Sequence, residues 1–168
     1  ILLLSTFTIG FSQSPYNLEI SEFTKITESQ GGFNGSLPDF SYFGEAMSEI
    51  GDLNNDGVGD LVVSSSNSQK AIWILFLNSN GSVKAYREIS NESGGLEGML
   101  QEGDRFGSSI TNMGDLDGDG VTDIAVGASS SNDPDEGIVG PIGAVWILFM
   151  NTNGTVKSFQ KISSTQGF

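Results

Sequence analysis

Apolar residues in this chain gather into short dense runs, separated by breaks rich in Gly, Asn, Asp and Ser. The longest are Ala71-Ile72-Trp73-Ile74-Leu75-Phe76-Leu77 and Ala144-Val145-Trp146-Ile147-Leu148-Phe149-Met150. Neither shows a useful 3.6-residue period, and both are rich in aromatic and β-branched residues, so the pattern predicts strands. Runs without alternation further predict sheets covered on both faces. Four strands are predicted twice over. Strand A spans about 43–50 and 106–113, strand B 60–64 and 123–128, strand C 71–77 and 144–150, and strand D 83–89 and 156–162. Strands C and D meet at Asn80-Gly81 and Asn153-Gly154, a strong hairpin signal because both residue types tolerate positive φ.

The duplication is itself the main organising feature. Phe43-Gly44 returns as Phe106-Gly107, Gly51-Asp52-Leu53 as Gly114-Asp115-Leu116, and Asp60-Leu61-Val62-Val63 as Asp123-Ile124-Ala125-Val126, all 63 residues apart. The strand C runs, Val83-Lys84 and Val156-Lys157, and Ile89-Ser90 and Ile162-Ser163 are 73 apart, so the second unit carries ten extra residues within Ser129 to Gly143. The expected units are 31–90 and 91–163. They are preceded by an orphan strand D and linker over 17–30, in which Phe23 aligns with Tyr86 and Ile26 with Ile89, and followed at 164–168 by the start of another repeat. Units of this kind bury their faces against neighbours. Residues 1–12, with the apolar run Ile1 to Phe11 and a small-residue site at Ser12, read as a signal peptide truncated at its start; the run is too short to span a bilayer.

Charge and composition narrow the chemistry. Twenty-one acidic residues against seven basic ones leave a formal charge of −14, which disfavours nucleic acid and anionic membranes and favours cations. There is no His and no Cys. Imidazole bases, thiolate nucleophiles, nitrogen–sulfur zinc sites and disulfides are thereby excluded. No nucleophile-elbow or phosphate-loop motif occurs, and no catalytic residue is assigned; the expectation is a non-enzyme.

The acidic residues concentrate between strands A and B. Asp52-Leu53-Asn54-Asn55-Asp56-Gly57-Val58-Gly59-Asp60 and Asp115-Leu116-Asp117-Gly118-Asp119-Gly120-Val121-Thr122-Asp123 share the pattern D-x-[DN]-x-D-G-x-x-D. Side-chain oxygens fall at positions 1, 3, 5 and 9, Gly at position 6 permits a reversal, and the carbonyl of Val58 or Val121 adds an oxygen at position 7. Clustered carboxylates without a cation repel one another or take up protons. Six to eight hard oxygens suit calcium, whereas magnesium prefers to keep waters. An EF-hand loop opens in the same way but needs an acidic residue at position 12 and flanking helices. Position 12 here is Val63 or Val126, inside a predicted strand.

Phe-Gly, the Asp-rich nonapeptide and Val126-Gly127-Ala128 together resemble the FG-GAP repeat of integrin α-subunit N-terminal domains, over about Gly31 to Ser163. The resemblance implies an all-β fold of four-stranded antiparallel blades, a fragment of a seven-bladed β-propeller. It also implies two Ca²⁺ sites in the A–B loops. Their ligands would be Asp52, Asn54, Asp56, the Val58 carbonyl and Asp60, and Asp115, Asp117, Asp119, the Val121 carbonyl and Asp123. The first repeat departs from the pattern at Asn54 and at Val63-Ser64-Ser65, which lowers the affinity expected of its site.

The expected role is a secreted or cell-surface calcium-binding module for adhesion, meeting an extracellular protein or glycan through its B–C and D–A connections, with no membrane insertion in this segment. The inserted segment Ser129 to Pro141 is a B–C connection and so a candidate binding loop, against the alternative of a tolerated insertion. Two other readings are a non-catalytic propeller region of a larger secreted enzyme and a purely structural surface array. Trp73 and Trp146, equivalent on strand C, are expected in the core. Of the glycosylation triplets at Asn34, Asn80, Asn91 and Asn153, those at Asn80 and Asn153 are accounted for by the hairpins.

Overall fold

The computed structural model describes residues 22–66, 71–101, 103–131 and 142–164. Among them are eight strands: β1 Met47–Glu49, β2 Leu61–Ser65, β3 Ala71–Leu77, β4 Val83–Ile89, β5 Phe106–Gly114, β6 Asp123–Ala128, β7 Ala144–Met150 and β8 Val156–Ile162. They form two four-stranded antiparallel sheets, each in simple chain order. No helix occurs among the described residues, and no helix there is long and apolar enough to cross a membrane.

The sheets repeat in register as well as in sequence. Val63 faces Trp73 and Leu75 faces Tyr86 in the first; Val126 faces Trp146 and Leu148 faces Phe159 in the second. The register slips at Phe76/Leu77 and at Phe149/Met150, the same place in both. The C–D turns differ from the expectation drawn from Asn-Gly. Only Gly81 and Gly154 have positive φ, 76° and 79°. Gly81 N–H donates to the Asn78 carbonyl, and the Asn80 side-chain oxygen accepts from Ser82 N–H, with the same pattern at Asn151, Asn153, Gly154 and Thr155. The Asn side chain braces the turn instead of its backbone turning left-handed, which gives a three-residue loop ending in a left-handed Gly.

Strand A is shorter than expected in the first unit. Its regular ladder covers Met47–Glu49; before it the Ser64 hydroxyl takes the Ala46 amide at 2.8 Å, while the Ala46 carbonyl still accepts from Ser64 N–H. Residues 18–21 of the expected orphan strand, and the expected signal segment, lie outside the described residues. Thr27 pairs with Gln30 in a single bridge. Ile26 nevertheless occupies the place that Ile89 holds one unit later: a Cβ on Gly31 would sit 2.5 Å from the Lys25 carbonyl oxygen, and one on Gly94 2.4 Å from that of Glu88.

The core explains how the sheets are stacked. Trp73, Val63 and Leu75 pack with Ile26 and Phe33, and Leu37 and Phe43 lean on them. One repeat later the same places are held by Trp146, Val126, Leu148, Ile89, Leu96, Leu100 and Phe106. The linker before each sheet therefore roofs the Trp-bearing face of that sheet. The face of the first sheet carrying Ile72, Ile74 and Phe76 completes the second cluster, so one core joins both units. Both Trp residues are buried, as expected. Coverage is uneven, however: all seven residues of β3 are buried, whereas Val145 on β7 is exposed and Ile147 and Phe149 are half-buried.

Candidate metal centre

Local backbone rules build the A–B loops. Gly57 and Gly120 at position 6 have φ of 88° and 87°. Position 4 is also left-handed, with Asn55 at 61° and Gly118 at 81°. Asn and Gly are the residues that accept this conformation at least cost. The loops curl so that amide N–H groups point at the acidic side chains.

In the first loop, Asp52 Oδ1 accepts from Asp56 N–H at 2.9 Å and its Oδ2 from Gly57 N–H at 2.7 Å. Asn54 Oδ1 accepts from Asp56 N–H at 3.0 Å, and Asp56 Oδ1 from Val58 N–H at 3.0 Å. The second loop repeats the scheme. Asp115 Oδ1 accepts from Gly118 and Asp119 N–H, its Oδ2 from Gly120 N–H, Asp117 Oδ1 from Asp119 N–H and Asp119 Oδ1 from Val121 N–H.

Position 9 behaves differently. Asp60 and Asp123 are fully buried. Asp60 accepts from Leu53 N–H and from Leu77 N–H, both at 3.1 Å; Asp123 accepts from Leu116 N–H at 2.9 Å and Met150 N–H at 3.0 Å. Each carboxylate ties its loop to the end of strand C. Burial pushes the Asp60 carboxyl above its ordinary value, against the lowering effect of the Leu77 and Leu53 amides.

Side-chain oxygens of Asp115, Asp117 and Asp123 lie within 4.8 Å of one another. Two ligands on opposite sides of one calcium ion, at about 2.4 Å each, stand about 4.8 Å apart, so this separation fits a single such ion. The donors are all oxygen, which suits a hard cation. Asp119 stands outside this trio, and no comparable trio occurs in the first loop among the described residues. In both loops the position 5 carboxylate is turned toward a lysine. Lys84 Nζ bonds Asp56 Oδ2, while Lys157 Nζ bonds Asp119 Oδ2 and, at 2.6 Å, Asp117 Oδ2. The Asp117 and Asp119 carboxylates hold the Lys157 ammonium well above its usual range, and Lys157 in turn lowers Asp119. Reading the loops alone missed these lysines. Their signal was the Val-Lys pair that opens strand D in both units.

An FG-GAP-like repeat model matches residues 52–126, and an FG-GAP repeat model matches 106–148. This chain belongs to the FG-GAP repeat family. Both matches include the second acidic loop. Integrin alpha pat-2 of Caenorhabditis elegans is 38% identical to the FG-GAP chain over 96 residues, 53% of this chain and 7% of that protein. Integrin alpha-5 of Xenopus laevis is 37% identical over 103 residues, 59% of this chain and 10% of that protein. Phosphatidylinositol-glycan-specific phospholipase D of Bos taurus is 28% identical over 147 residues, 83% of this chain and 17% of that protein. The FG-GAP chain thus spans less than a fifth of the length of each of these relatives. The motif's own glycine has a physical cause here: Gly44 and Gly107 have φ of 94° and 89°, and a Cβ on Gly107 would press on Ser64 at 3.1 Å.

The inserted B–C segment lies outside the described residues from 132 to 141. Its base is tied down by Ile142 and Gly143 N–H donating to the Ser131 carbonyl.

Proposed function

We propose that this chain is a calcium-binding part of a secreted or cell-surface propeller, in which bound calcium fixes the A–B loops of blades spanning 31–90 and 91–163. The ligands are Asp52, Asn54, Asp56, the Val58 carbonyl and Asp60 in one loop, and Asp115, Asp117, Asp119, the Val121 carbonyl and Asp123 in the other. The convergence of the Asp115, Asp117 and Asp123 oxygens carries this reading. Matched hydrogen-bond schemes in the two loops support extending it to the first. The role is adhesive rather than catalytic: the blades present an extracellular protein or glycan ligand to their B–C and D–A connections, at the end opposite the metal. Likeness to integrin alpha chains favours this reading.

Titration calorimetry of the folded chain with calcium chloride tests it. Uptake of two ions per chain is expected, with dissociation constants of about 10⁻⁴ to 10⁻³ M, the range of extracellular calcium modules. Absence of heat at millimolar calcium would remove both sites. A second reading has its own support: the stretch of likeness to the phospholipase D is the longest of the three, at 147 residues. On that reading the blades are a non-catalytic region of a larger enzyme. The same metal sites would serve it, and calcium-dependent capture of an extracellular ligand by this chain alone would count against it.

A further inference from the structure

The lysines that open strand D do more than decorate the surface. In each loop, backbone amides occupy both oxygens of the position 1 and position 9 carboxylates and one oxygen of the position 5 carboxylate. The carboxylate oxygens of the two loops that no backbone amide takes are Asp56 Oδ2, Asp117 Oδ2 and Asp119 Oδ2. These are the ones on which Lys84 and Lys157 sit. The arrangement occurs twice, from lysines 73 residues apart in the sequence, each reaching across its own C–D hairpin to its own A–B loop.

We infer that Lys84 and Lys157 are affinity-setting residues that compete with the divalent cation for the carboxylates at positions 3 and 5. The inference rests on the calcium reading of these loops. With the metal absent, the ammonium partly neutralises the loop and keeps it curled. A calcium ion drawing the same oxygens inward repels the ammonium, and the flexible four-carbon stem lets it swing into solvent. Filling is then an exchange of one cation for another, and part of the binding free energy goes into displacing the lysine. Lys157 engages two carboxylates and Lys84 one, so the handicap is larger in the second loop. That loop also carries the extra carboxylate, Asp117 in place of Asn54, so the two differences offset each other and bring the sites closer in affinity.

Calcium titrations of the full chain, unaltered and as Lys84→Gln, Lys157→Gln and Lys157→Arg, test this, together with thermal melts in chelator and in calcium. Each Gln variant should bind calcium about 1.5- to 5-fold more tightly at its own site, the scale of an exposed ion pair. Lys157→Gln should melt lower than the parent in chelator and show a larger gain on adding calcium. Lys157→Arg retains the charge and should stay near the parent. Calcium uptake with unchanged or weakened affinity in the Gln variants would overturn the competition while leaving the calcium sites standing. No uptake by any chain, the parent included, would remove the sites and the competition with them.

Discussion

Asp123 shows how an acidic side chain can hold a fold together. It is buried with no exposed surface, yet neither oxygen lacks a donor, because Leu116 and Met150 amides point at it from two elements. Truncation strands both amides, and a buried donor without a partner costs roughly 1–3 kcal/mol. Asp123→Ala should therefore lower stability by about 2–5 kcal/mol even in chelator, where no metal contributes, as read by urea unfolding. Asp119→Ala, at an exposed position, gives up its Lys157 pair and should cost less than about 1 kcal/mol in chelator, far below Asp123→Ala, while weakening calcium binding. The acidic pattern was legible in the sequence, but this division of labour was not: position 9 opens strand B, and its burial depends on strand C, far along the chain. A similar limit applies to Phe40. It is 76% exposed with φ of 61°, at the position that Gly103 fills, at 88°, one repeat later. A left-handed residue other than Gly costs about 1–2 kcal/mol, so Phe40→Gly should raise stability by about 0.5–1 kcal/mol after its greater unfolded-state entropy. A fall in the urea midpoint would show that Phe40 makes a contact worth more than its strain.

Strands B and C could be read from apolar runs, since a strand buried on both faces writes its boundaries directly into the pattern, and strand D, mostly exposed, from the Asn-Gly turn ahead of it and from the repeat. Linkers could not. Leu96 and Leu100 are as deeply set as the strand residues they cover, but they lie in an irregular segment with no period to detect. Their visible trace is the Gly pair at 31–32 and 94–95. Gly94 has φ of 86°, and a Cβ there would meet the Glu88 carbonyl at 2.4 Å and the Ile89 Cα at 2.8 Å. Both contacts are backbone, so nothing flexible can move aside. Gly94→Ala should cost more than about 1 kcal/mol, the ordinary scale of an alanine forced to positive φ, and should lower the melting temperature with and without calcium alike. A loss confined to one condition would mean that the linker and the acidic loops are coupled.

Across the whole chain the charge of −14 is unevenly placed, with seven carboxylates in two loops at one end of the stacked sheets. Like charges held together destabilise the compact state, and salt screens them over about 10 Å at 0.1 M. In chelator, raising sodium chloride from 20 mM to 500 mM should therefore raise the melting temperature by several degrees. In saturating calcium the same change should have little effect. Equal salt responses in both conditions would indicate that the repulsion is spread over the surface and not held in the loops. The four-strand units and their repeat were evident from spacing alone. The unequal cover of the two sheets was not, because Val145 and Ile72 belong to runs of the same character and differ only in whether something lies against them.

The roofing of each Trp by the segment ahead of its sheet bears on how such a chain grows by duplication. Gly94 accepts a hydrogen bond from Val156 N–H, as Gly31 does from Val83 N–H, so every final strand is latched by a stretch of chain that comes before its first one. A genetic copying event that took only the sheet, from Phe106 to Ile162, would deliver an unroofed tryptophan and an unlatched strand. A viable cassette has to begin just after Ile89, offset from the sheet it serves, and recombined blades should tolerate junctions near Ser90 far better than junctions near Arg105.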